Sequence, residues 1–175
     1  LVMGAAVALS YFLLRKSPER PAETAALPSA VARDYQNYRA EKLPLTLETG
    51  DVKELERFFS ARGIAFDTRV FDLGMMNYHL VGGRVHQLIE RQSALFVYRG
   101  KDRRILICQM YPGRAPELPL AGAVLRENNG IHFYIYRFDG LTLAFWQEGA
   151  ITCVLTSDGD SEEVVQLAFA KAVKI

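Results

Sequence analysis

Beyond residue 50 the apolar positions follow two different periods. Over Asp51–Gly63 they recur at helical spacing, with Val52, Leu55, Phe58 and Phe59 on one stripe. Asp51 stands where a side chain caps the first free N–H groups, and Glu54 takes the capping-box position. Gly63 is placed to end the helix in a left-handed conformation. The pattern then shifts to β-branched and aromatic runs separated by turn residues. Strands are predicted at Tyr78–Leu88, Ser93–Arg99, Arg103–Met110, Ile131–Phe138, Leu141–Gln147 and Ala150–Thr156. Gly82-Gly83 marks a bulge or bend within the first strand. Gly100-Lys101-Asp102, Asp139-Gly140 and Glu148-Gly149 read as hairpin turns, and both residues of Asp139-Gly140 tolerate positive φ. A second helix is predicted over Ser161–Val173, with acids in its first turn and Lys171 and Lys174 at its end, as the helix dipole favours. Tyr111–Asn129, with Pro112, Pro116 and Pro119, reads as a crossover loop. The expected fold class is α+β: an antiparallel sheet of about six strands, flanked by N- and C-terminal helices that cover one face.

Before residue 51 the pattern is different. Leu1–Leu14 is apolar and uncharged, and it stops at Arg15-Lys16-Ser17-Pro18. A helix rises 1.5 Å per residue, so crossing the hydrocarbon of a bilayer takes about 20 residues. The run is shorter than that and reads as the C-terminal part of a single transmembrane helix, occupying residues 1–15. Leu1, Leu9, Tyr11, Phe12 and Leu14 are the expected membrane-anchor residues, the two aromatics suiting an interfacial belt. The alternatives are a signal-peptide core and a buried helix. Residues 16–50 read as a Pro-containing linker, because Pro18, Pro21, Pro28 and Pro44 each oppose a long helix. Within it, residues 29–42 carry a short helix with Ser29 as N-cap and Val31, Tyr35 and Tyr38 on one face. That face has two equal destinations, a partner or its own domain. Residues 51–175 then form the globular α+β domain, tethered to the membrane helix.

Charge and chemistry narrow the function. Lys+Arg 21 against Asp+Glu 20 gives a net charge of +1, so there is no basic surplus for nucleic acid. The 3 His and 2 Cys do not fall at metal-ligand spacing. His79 and His86 lie seven apart on one strand, which puts them on opposite faces under strict alternation. Ser157-Asp158-Gly159-Asp160 lacks the remainder of a calcium loop, and Gly82-Gly83 lacks the pattern of a phosphate loop. No nucleophile stands beside a base in a recognisable motif, so no catalytic, cofactor-binding or metal residue is assigned and an enzyme is not expected. Cys108 and Cys153, each within a strand, are either a candidate disulfide or two buried thiols. The hairpin holding Phe133, Tyr134, Tyr136, Phe138, Phe145 and Trp146 is aromatic on both faces, which requires that both be covered or that one meet a partner. Tyr35, Tyr38, Tyr134, Tyr136, Phe138 and Trp146 are accordingly the candidate partner contacts.

Several stretches resemble the extracytoplasmic domain of transmembrane anti-sigma factors. They are Leu55-Glu-Arg-Phe-Phe, Phe71-Asp-Leu, Tyr78-His-Leu-Val-Gly-Gly-Arg-Val and Ala94-Leu-Phe-Val-Tyr, with Phe145-Trp-Gln-Glu-Gly-Ala-Ile-Thr-Cys-Val-Leu-Thr-Ser-Asp before the last helix. The likeness spans roughly residues 52–173, and Leu80-Val-Gly-Gly-Arg84 is its most specific part. It implies a bacterial inner-membrane protein with a periplasmic domain that binds regulatory proteins. The His-x-x-x-Cys-x-x-Cys zinc site often present in such proteins is not in this chain. Arg15 and Lys16 argue for the opposite orientation, and the longer likeness is given more weight. The reading is a non-catalytic, membrane-anchored protein-interaction domain. Its alternative is an accessory subunit that stabilises a respiratory or photosynthetic membrane complex, with other membrane subunits and the lipid bilayer as partners.

Overall fold

The computed structural model describes residues 21–173. Its helices are α1 (Pro21–Arg39), α2 (Val52–Ala61) and α3 (Ser161–Lys171). Its strands are β1 (Leu47–Glu48), β2 (His79–Leu88), β3 (Arg91–Arg99), β4 (Ile105–Pro112), β5 (Ala123–Asn128), β6 (Ile131–Phe138), β7 (Leu141–Glu148) and β8 (Ile151–Ser157). They form one antiparallel sheet in the order β1-β2-β3-β4-β8-β7-β6-β5. Two four-stranded meanders therefore meet at a central seam, where Leu106–Pro112 pairs with Ile151–Ser157.

This corrects the expected fold class in three respects. The sheet has eight strands rather than about six, the additional ones being β1 and β5 at its two edges. Helices cover both of its faces. And among the described residues no helix is long and apolar enough to cross a membrane, so a tethered transmembrane helix is not seen among them. The longest helix, α1, carries Arg33, Asp34 and Arg39, charges a bilayer would exclude. The expected anchor residues Leu1, Leu9, Tyr11, Phe12 and Leu14 lie outside the described residues.

Residues 21–39 are also more ordered than a linker. Pro21 is the first residue of α1, where its missing N–H costs nothing, and the helix continues through Pro28. An internal proline costs about 3 kcal/mol. Here its ring is buried, together with Leu27, Ala30, Val31 and Tyr35. Ser29 is not a cap; its hydroxyl donates to the Ala26 carbonyl at 2.8 Å inside the helix. The face shared by Val31, Tyr35 and Tyr38 docks on the chain's own sheet. Nineteen residues of helix span about 28 Å. The five strand spacings from β2 to β6 span about 24 Å. α1 lies across the strands and touches β2, β8, β7 and β6.

α2 and α3 cover the opposite face. Asp51 caps α2 by accepting from the Lys53 and Glu54 N–H groups at 2.8 and 3.0 Å. Glu54 does not complete the capping box; its carboxylate engages the Thr49 hydroxyl instead. Asp160 caps α3 in the same way. The ladder of β2 shifts register between Leu80 and Gly82. A Cβ on Gly82, whose φ is +147°, would stand 2.1 Å from the Leu47 carbonyl oxygen. This absence of a side chain is what admits β1 to the sheet edge.

Candidate functional site

The hairpin β6–β7 folds on an Asp139-Gly140 turn with φ of 48° and 78°. Its register sets Phe133 opposite Trp146, Tyr134 opposite Phe145 and Tyr136 opposite Leu143. Alternation then sorts the aromatics. Phe133 and Trp146 face α3, where Phe133 meets Phe169 at 4.7 Å between ring centroids. Tyr134, Tyr136 and Phe145 face α1, with Tyr136 edge-on to Phe145 at 5.6 Å. The Trp146 indole N–H donates to Glu148 at 2.8 Å. The Tyr136 hydroxyl donates to the Pro119 carbonyl at 2.5 Å, and burial pushes its pKa up to about 12.

The expected partner contacts are therefore mostly core. Tyr35 and Trp146 are fully enclosed, and Tyr134 and Tyr136 are buried. Tyr38 is half-buried and lines a cleft of about 570 Å³ with Arg39, Leu43, Val81, Arg99 and Ile105. Only Phe138 is open, at 39% exposure. Both faces of the hairpin are satisfied from within the chain, which answers the choice that the sequence left open.

Apart from Met75 and Met76 before β2 and Val173 after α3, the exposed large apolar residues among those described are Phe138 at the end of β6 and three residues on or just before β5. Leu120 is 64% exposed, and Val124 and Leu125 are each 57% exposed. Val124 and Leu125 sit on β5, which pairs with β6 on one side and, among the described residues, with no strand on the other. They point to opposite faces, Val124 level with Ile135 and Leu125 level with Tyr134. The edge thus offers an unpaired row of backbone groups with an apolar residue on either face. Sequence reading missed these residues because the three prolines of Tyr111–Asn129 made the whole stretch look like a loop. One signal was there: Asn129-Gly130, with φ of 52° and 73°, is a two-residue hairpin turn of the same kind as Asp139-Gly140.

The histidines have separate settings. His86 Nε2 lies 2.9 Å from Asp34 Oδ2 beneath α1, and the same oxygen accepts from Gln109 at 2.9 Å. His79 and His132 are exposed. Among the described residues no three His, Cys, Asp or Glu side chains converge as a metal site would require. Cys108 and Cys153 are free and buried, not bonded to each other. Across the seam Cys108 pairs with Leu155 and Cys153 with Met110, an offset of two residues. Such diagonal neighbours stand about 7–8 Å apart. A disulfide closes between Cα atoms about 4.4–6.8 Å apart. Compared with known proteins, the chain matches no family model, no curated protein and no solved structure.

Proposed function

We propose that the domain is a non-catalytic protein-interaction module, and that its contact surface is the β5 edge with Leu120, Val124, Leu125 and Phe138. The observation that carries this reading is the six-residue edge strand, which presents Val124 on one face and Leu125 on the other and, among the described residues, is bordered by no strand but β6. An edge of this kind binds an extended segment of another chain through main-chain hydrogen bonds, with side chains on alternate faces giving selectivity. The partner is a regulatory protein, as the resemblance to anti-sigma outer domains implies. The most specific motif of that resemblance, Leu80-Val-Gly-Gly-Arg84, has a structural task in this fold, since it forms the bulge that seats β1. The accessory-subunit reading required residues 16–50 to lie along neighbouring proteins. Residues 21–39 instead cover their own sheet, which weighs for the regulatory reading.

The test places a photo-crosslinking residue at Leu125 or, as a control, at the exposed Arg57 of α2, in the full chain in its own cells. Crosslinks from Leu125 that are absent from Arg57, and lost in Val124→Lys/Leu125→Lys, are expected. A partner captured equally from both positions, or one bound as tightly by the double variant, would overturn the assignment of the edge.

A further inference from the structure

Lys171 closes α3 with its side chain turned into the core, where it is 1% exposed. Its Nζ lies 2.9 Å from the sulfur of Cys108, at the centre of the sheet on β4. The rings of Phe71 and Phe96 stand 4.4 and 4.7 Å from the same nitrogen, and Trp146 lies at 6.0 Å. The buried carboxylate of Glu148 is engaged elsewhere, accepting from Arg69 at 2.6 Å and from Trp146 at 2.8 Å. Cys108 is thus the hydrogen-bond acceptor of a buried amine to which no carboxylate of the described residues is bonded. At this distance the amine is placed to take the thiol proton as the sulfur reacts. Burial pushes the Cys108 thiol up, and Lys171 pulls it back in part. Cys153 shares this environment and is pushed well above its ordinary value by burial and by Glu148, but no amine is bonded to it.

We propose that Cys108 and Lys171 form an oxidative modification site, in which a peroxide joins the two side chains through a sulfur–nitrogen bond. In the first step the Cys108 thiol passes its proton to the Lys171 amine as the sulfur attacks one oxygen of hydrogen peroxide, and the ammonium returns that proton to the displaced hydroxide. An S–O bond forms and the O–O bond breaks, sulfur loses two electrons to the peroxide, and water leaves once the displaced hydroxide is protonated. In the second step the Lys171 amine attacks the sulfenic sulfur. The S–N bond forms, the S–O bond breaks, and the departing hydroxide takes a proton from the amine as a second water. One thiol, one amine and one hydrogen peroxide become one S–N link and two waters. The chain ends two hydrogens lighter.

The cover over the pair is thin. Phe71 is half-buried and lines a cleft of about 400 Å³ with Gly50, Val52, Asp72, His79 and Leu80. The segment carrying it is held to the sheet by the Tyr98 hydroxyl, which accepts from the Phe71 N–H at 3.0 Å and donates to its carbonyl at 2.9 Å. Arg69 adds a bond to the Lys171 carbonyl at 2.8 Å. Local opening of this strap admits a molecule little larger than water without unfolding the sheet. The link would stitch the end of α3 to the central seam.

The experiment treats the purified full chain with hydrogen peroxide and measures intact and peptide masses. The expected product has lost two hydrogens, joins the peptides of Cys108 and Lys171, resists trypsin after Lys171 and reverts with a dithiol. A Cys108–Cys153 disulfide also removes two hydrogens, so Cys153→Ser and Lys171→Arg are run beside it. The loss must persist in Cys153→Ser and vanish in Lys171→Arg. A loss that vanishes in Cys153→Ser, or a wild-type chain that gains oxygen without joining its peptides, overturns the proposal.

Discussion

The two edges of the sheet are built in opposite ways. β1 is two residues long, follows Pro44, and is drawn against Gly82 and Gly83 by flanking bonds from the Thr46 and Thr49 N–H groups. Arg84 reaches over it to donate to the Pro44 carbonyl at 2.8 Å. β5 is six residues long, contains no proline, and keeps an unbroken register from Ala123 to Asn128. Short strands, prolines and bulges are how proteins close an edge to further pairing. One edge has all three within reach and the other has none. The open edge is therefore a property of β5 itself, since the same sheet closes its other side.

The contrast is broken most severely at Gly82. Gly82→Ala would force a side chain at φ +147° against the Leu47 carbonyl, and the expected loss is about 3 kcal/mol. Urea unfolding measures it. Self-association by sedimentation should rise with it, because ejection of β1 turns the ten-residue β2 into a second open edge. Next is Asp34→Ala, which removes the clamp of α1 on β2 and β4 and leaves His86 and Gln109 without their shared acceptor. About 2 kcal/mol should be lost. Unchanged stability would mean that α1 is held by its apolar face alone. On the open side Tyr136→Phe removes the bond to Pro119, at about 1 kcal/mol. It also changes the response to alkali. The folded phenol ionises near 12, above the unfolded value of about 10. Its contribution is complete below pH about 10 and is lost as pH rises through about 12, so the variant should show a flatter decline across that interval. The smallest effect is expected from Val124→Lys/Leu125→Lys, within about 0.5 kcal/mol of wild type because neither side chain is buried. A larger loss would mean that β5 supports the fold rather than presenting a surface.

The same contrast explains what the sequence discloses. Inner strands must bury side chains on both faces, so β3, β4, β7 and β8 read as near-continuous apolar runs, and their positions follow from composition and turn chemistry. α2 and α3 announce themselves through Asp51 and Asp160 at their starts. The edges obey no such constraint. β1 exists because Gly82 has no side chain, a tertiary fact with no periodicity of its own. β5 is exposed along most of its length, so Ala-Val-Leu-Arg-Glu-Asn carries no alternation to read. Pro28 argued against a helix that burial of its ring sustains. The aromatic hairpin showed that two faces needed cover, but only packing shows that α1 and α3 supply it. The largest aromatics, the expected partner contacts, are mostly buried, and the exposed apolar residues on and before β5 are smaller.

The central seam carries one more consequence, for how the chain assembles. Consecutive strands from β2 to β4 and from β5 to β8 are joined by short turns, with only β1 separated from its neighbour by α2, whereas β4 and β8 are brought together across the whole second meander by a single ladder of seven residue pairs. Local hairpins close quickly and distant pairings slowly, so the two meanders should form first and meet last. The molecule is then a dimer of halves written as one chain, with Cys108 and Cys153 each one residue short of the central pair Gln109–Val154. Cleavage within residues 113–122 should yield two fragments that recover the intact fold when mixed, at a rate that depends on their concentration.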